Sequence, residues 1–160
     1  DVDDLDGLRL RLGQNFAGDV NLEVSATTTE TTTGATNTTT QSLDFEIEAI
    51  ADGPSWYSWT NVLEGEPGNT YDVPITLGSG DDRETWTITV SGIPNGVTLS
   101  PATSLDDGEW SVAHASFNDL QVTLPAGITD DFTISVEVVS VEPDSGDERV
   151  TNIETTVRIV

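Results

Sequence analysis

Shifted forward by 112 positions, residues 1–48 fall on residues 113–160 without a gap. Leu8 then lies on Leu120, Leu12 on Leu124, Asp19 on Asp131, Val24 on Val136, Glu30 on Glu142, Gly34 on Gly146, Thr39 on Thr151 and Ile47 on Ile159, eight identities in 48. The hydrophobic phase agrees at many further positions: Phe16 meets Ile128, Val20 meets Phe132, Leu22 meets Ile134 and Phe45 meets Val157. A repeat of this length is a folding unit, so the chain reads as one complete repeat preceded by the second half of another. The expected organisation is a half repeat at 1–48, a linker at 49–55 and a complete repeat at 56–160. Half a repeat cannot close a core, because an isolated hairpin is marginal in water and exposes strand edges, so the sequence is cut inside a repeat, the first half lies elsewhere in the parent chain beyond an insertion, or 1–48 adds strands to 49–160.

The pattern within the repeat is strand-like. Leu8-Arg9-Leu10-Arg11-Leu12, Val20-Asn21-Leu22-Glu23-Val24 and Leu43-Asp44-Phe45-Glu46-Ile47 alternate with period 2, each turning one apolar face inward. Further strands are expected at 71–77, 84–91, 109–113, 119–124, 131–141 and 149–160. Turn signals separate them, among them Glu66-Pro67-Gly68-Asn69, Pro94-Asn95-Gly96, Asp106-Asp107-Gly108 and Ser145-Gly146-Asp147. Short strands at this spacing, with no convincing helical period, predict an all-β, antiparallel immunoglobulin-like β-sandwich without a disulfide.

Composition narrows the chemistry. The chain has no Cys, a single His at 114 and a formal charge of −24, from 29 acidic residues against five Arg and no Lys. Thiolate and multi-His metal sites are excluded, and the charge disfavours nucleic acid and anionic lipid. No apolar run is long enough to insert in a membrane. The absence of Met and of a leader reads as a piece of a larger protein. No nucleophile elbow, phosphate loop or dinucleotide fingerprint occurs, and His114 reads as structural, so the chain is not expected to be an enzyme.

The acids gather at turns: Asp1-Asp3-Asp4-Asp6, Glu64 with Glu66, Asp81-Asp82-Glu84, Asp106-Asp107-Glu109, Asp130-Asp131 and Glu142-Asp144-Asp147-Glu148. Carboxylates crowded on one loop repel each other, and a hard cation with six to eight oxygen ligands relieves that repulsion. Calcium is the expected cofactor. Asp52, in Ile50-Ala51-Asp52-Gly53-Pro54 between the two repeats, is the expected ligand at the joint. Glu30 is expected beside it and Glu142 at the next joint. Trp56, Tyr57 and Trp59 are weak candidates for stacking on a sugar, with packing at the joint as the favoured alternative. The tract Thr27–Thr40 holds ten Thr in fourteen residues. A regular hydroxyl face for ice or sugar is one reading, and an exposed hairpin is the favoured one.

The runs Ala49-Ile50-Ala51-Asp52-Gly53-Pro54, Gly65-Glu66, Asp81-Asp82-Arg83-Glu84-Thr85, Ser91-Gly92-Ile93-Pro94-Asn95-Gly96 and Asp106-Asp107-Gly108-Glu109-Trp110 follow one another in an order that resembles the repeats of giant bacterial RTX adhesins. That resemblance implies a calcium-bound, cadherin-like extender domain of a secreted, surface-anchored protein that presents ligand-binding modules for adhesion or biofilm formation. It implies neighbouring repeats of the same chain as partners, and an inserted ligand-binding module ahead of residue 1. Its implied metal ligands are Glu66, Asp81, Asp82, Glu84, Asp106 and Asp107, besides Glu30, Asp52 and Glu142. The loop departs from the family in Ser79, which replaces an Asp, and in Arg83, which brings in a positive charge; either the site is weaker or it uses Asp82. Pro67 likewise replaces an acid. A carbohydrate- or protein-binding module, and a surface-layer or stalk domain of a halophile, share the fold and remain as alternatives.

Overall fold

Alternating apolar and polar residues become strand pairs along most of the chain. The computed structural model describes residues 7–13, 15–78 and 83–160, except the side chains of Trp56 and Tyr57. The chain divides between Ala49 and Ile50 into two units.

The first unit is a hairpin of β1 (Gly18–Thr29) and β2 (Thr36–Ile47). Its antiparallel register runs from Gly18↔Ile47 to Thr29↔Thr36. At the closed end the Glu30 N–H donates to Ala35 O at 2.8 Å and the Gly34 N–H to Glu30 O at 2.8 Å. Gly34 sits at φ 71°, a left-handed conformation that glycine adopts without a Cβ penalty. The Thr tract is indeed an exposed hairpin, crossed by paired hydroxyls: Thr27 Oγ1 lies 2.8 Å from Thr38 Oγ1, and Ser25 Oγ 3.0 Å from Thr40 Oγ1. Leu8–Leu12, expected to be a strand, joins no ladder.

The second unit contains β3 (Trp56–Trp59), β4 (Val62–Gly65), β5 (Thr70–Asp72), β6 (Ile75–Leu77), β7 (Thr85–Ser91), β8 (Thr98–Ser100), β9 (Thr103–Ser104), β10 (Trp110–Val112), a 3-10 helix at His114–Asp119, β11 (Gln121–Thr123), β12 (Phe132–Val141) and β13 (Glu148–Ile159). One layer is a six-stranded sheet in the order β4-β13-β12-β7-β10-β9; the other strands form β5-β11-β8 and β3-β6. The opening strands are shared between layers, since β3 pairs with β6 whereas β4 pairs with β13. The β4–β13 pairing is parallel, a departure from the expected all-antiparallel pattern. The expected strand 71–77 is broken between β5 and β6, because Pro74 has no N–H to give to a ladder.

Inward residues of both layers make one core. Ile88 and Val90 of β7, Ile134, Val136 and Val138 of β12, and Ile153 and Val157 of β13 meet Ile75, Leu77, Leu99, Phe117, Leu120, Val122 and Leu124. Burying each such side chain contributes about 1.5–3 kcal/mol. The 3-10 helix delivers Phe117 to this core and begins at His114, whose exposed ring stacks on Trp86 at 4.1 Å between centroids.

The hairpin β12–β13 reproduces β1–β2 in register. Adding 112 to both members of the pair Val20↔Phe45 gives Phe132↔Val157, and the offset holds through Val141↔Glu148. Even the closing turn repeats, with the Glu142 N–H donating to Asp147 O at 2.9 Å, the Gly146 N–H to Glu142 O at 2.8 Å, and Gly146 at φ 72°.

Candidate functional site

Where β12 turns into β13, three acid-bearing segments come together. The inward phase of β12 runs Ile134, Val136, Val138, Ser140, Glu142, and Glu142 is only 2% exposed. Its Oε1 accepts the Asp144 N–H at 3.3 Å. The segment that opens the second unit crosses this end. The Ala51 N–H donates to Asp147 Oδ2 at 2.9 Å, the Asp52 N–H donates to Glu84 Oε1, and the Ser140 hydroxyl donates to Asp52 O at 2.7 Å. Glu84 Oε2 also accepts the Trp86 indole N–H at 3.2 Å. Arg83 Nη1 lies 3.8 Å from Asp144 Oδ2. Hydrogen bonds from amides to carboxylates are stronger than neutral ones, so two acids hold residues 51–52 in place.

Within the expected linker 49–55, Ala51 and Pro54 are buried, and 51–54 belongs to the second unit. Asp52, Glu84 and Glu142 do come to one end of the sandwich. Asp81 and Asp82 lie outside the described residues.

Within the second unit, the other expected ligands are elsewhere. Glu66 follows β4 at the far end of the sheet, where its N–H donates to the Tyr71 hydroxyl at 2.8 Å. Asp106 and Asp107 precede β10 at that same end, but β4 and β9 are opposite edges of the six-stranded sheet. Five inter-strand steps of about 4.8 Å put some 24 Å between those edges. Glu30 occupies the closed tip of the first unit's hairpin, about eleven strand steps or 36 Å from Ile47. Among the described residues no three carboxylates converge closely enough to hold a cation. The donors at the Glu142 end are all hard oxygens, as calcium requires, but most of those described already accept amide hydrogens.

Asp144 and Asp147, from the acidic run at 142–148, belong to this end, and so does Ser140. Ser140 had a legible signal, since it is a polar residue at an inward position of an otherwise apolar strand. Thr155, 1% exposed in β13, is its analogue and donates its hydroxyl to Thr60 O. Together the two hydroxyls pin both ends of the 52–60 segment.

Two surface hollows lie away from this end. An open cleft of about 680 Å³ is lined by Pro94, Asn95, Asp106, Asp107 and Trp110. A groove of about 610 Å³ is lined by Trp59, Val62 and Asn152 among others. Trp59 is half exposed, and its indole N–H donates to Glu154 O at 3.1 Å, which anchors the ring on β13. The side chains of Trp56 and Tyr57 lie outside the described residues. No helix among the described residues is long and apolar enough to cross a membrane.

No protein-family model matches the chain, and no curated protein matches it. Among solved structures, domains 4 and 5 of the S-layer protein SbsC are similar with a TM-score of 0.38 and 10% identity, over 78% of this chain and 64% of that one. The chain therefore spans less than two thirds of that structure, and a likeness at this level carries no argument about function.

Proposed function

We propose that the chain is a structural, non-catalytic segment of a secreted cell-surface adhesin, an extender that holds ligand-binding modules away from the cell. The observation that carries this reading is the duplicated hairpin, because two copies of one register 112 residues apart are the mark of a tandem array. The acidic end at Asp52, Glu84 and Glu142 supports calcium as the stiffening ion, with Asp144 and Asp147 beside them and Asp81 and Asp82 next in sequence. Calcium there would neutralise acids that otherwise repel one another. At extracellular affinities of roughly 10⁻⁴ to 10⁻³ M and about 10 mM calcium, each ion stabilises the fold by about 1.4–2.7 kcal/mol.

Thermal melts in excess EDTA, in 5–10 mM calcium chloride and in sodium chloride of matched ionic strength test the reading. A rise in Tm specific to calcium, reduced by Glu142→Gln, is the expected result. An equal rise in sodium chloride would make the acids a screened surface, as in a halophile stalk, and remove the calcium sites.

A further inference from the structure

In the second unit, residues 50–112 cover the β12–β13 hairpin. Strand β7 pairs along β12 from Ser135↔Ser91 to Val141↔Thr85, β4 pairs along β13, and β5 and β8 flank β11. The first unit carries the counterparts of β11, β12 and β13 with none of these neighbours among the described residues. The consequence shows position by position. Leu8 is 76% exposed where Leu120 is 2%, Leu10 is 50% where Val122 is 0%, and Val24 is 53% where Val136 is 0%. Leu8–Leu12 forms no strand and has no counterpart of β5 or β8 beside it among the described residues, although its alternation is intact.

We infer that the face of β1 together with residues 8–12 is a docking surface for the first half of a homologous repeat, a polypeptide of the same kind as residues 50–112 of this chain. The 112-residue offset specifies the pairing. A β7-like strand runs antiparallel to β1, with the equivalent of Val90 opposite Val24 and that of Thr85 opposite Thr29. An open row of N–H and C=O groups beside exposed apolar side chains is satisfied by another strand. A second copy of the hairpin would cover the edge of β1 but leave Leu8–Leu12 unflanked, whereas a half repeat supplies edge, face and flanks together. This surface rests on the repeat relation that also underlies the proposed extender, and it is independent of calcium.

Because residue 1 corresponds to residue 113, a copy of residues 50–112 joined directly ahead of Asp1 restores the order of a complete repeat. Amide hydrogen exchange is compared, in 5 mM calcium chloride, between the 160-residue chain and this fusion. Exchange at residues 9–11 and 23–29 is expected to slow at least about a hundredfold in the fusion. A fusion whose added copy carries Val90→Asp is expected to lose that protection. Since the chain has no Cys, register is read separately by a single engineered pair: Val24→Cys with Val90→Cys of the added copy should close on mild oxidation, and Val24→Cys with Thr85→Cys of the added copy should not. Unchanged exchange in the fusion, equal protection by the Val90→Asp copy, or closure of the mismatched pair overturns the inference. So does protection of the unfused chain that grows with its concentration, which would make a second copy the occupant. Failure of the calcium melts leaves all of these outcomes unaffected.

Discussion

Ser140 and Thr155 are small hydroxyls at positions where their strands otherwise bury branched hydrocarbons, and each hydroxyl reaches a carbonyl of the segment that opens the unit. Replacing the hydroxyl leaves a part-buried carbonyl without its donor, which costs more than the hydrogen bond contributes. Ser140→Ala is expected to lower stability by about 1–2 kcal/mol in urea titrations, with faster amide exchange around Asp52. Gly92 makes a different demand. At φ 79° it favours glycine, and a Cβ there would stand 2.2 Å from the Thr133 carbonyl oxygen. Backbone cannot yield as a flexible side chain does, so Gly92→Ala is expected to cost more than about 2 kcal/mol by the same titration. The polar inward positions could be read from strand phase, whereas the carbonyls they serve are 88 and 95 residues away in the chain and could not.

At the scale of elements, the two hairpins are a natural comparison of one pattern in two settings. Val136 and Val24 occupy the same place in equivalent strands, yet one is sealed in a core and the other half exposed. Val136→Ala is expected to destabilise by about 2–3 kcal/mol through lost burial and a residual cavity. Val24→Ala should stay within about 0.5 kcal/mol, as surface substitutions do. Equal losses in the two variants, measured by urea denaturation, would mean that the first hairpin has a core of its own. Long strands were legible because their alternation runs for several cycles; β12 and β13 fall within a residue of their expected bounds. Strands β3, β4, β8 and β9 were not, since two to four residues carry too little period to read on their own, and of the strands that short only β5, β6, β10 and β11 overlapped longer expected runs. Pairing partners decide whether such segments, or Leu8–Leu12, become strands at all.

For the whole molecule, the clustered core among the described residues runs from Val73 to Val157 in the second unit. Residues 50–160 alone are therefore expected to unfold in one cooperative transition in calorimetry, with a Tm within a few degrees of the 160-residue chain. Two transitions in that fragment would show that its two layers do not form a single unit. The sequence by itself determined the all-β class, the 112-residue repeat and the hairpin turns, because period-2 alternation and turn chemistry are local and are written in neighbouring residues. It also marked Asp52, Glu84 and Glu142 as chemically alike. Only the tertiary structure decided that these three share one end of the sandwich while Glu66, Asp106 and Asp107 go to the other, and that residues 51–54 pack into the second unit. Sheet order and strand direction settle such groupings, and they follow from long-range pairing and burial, which no short window of sequence contains.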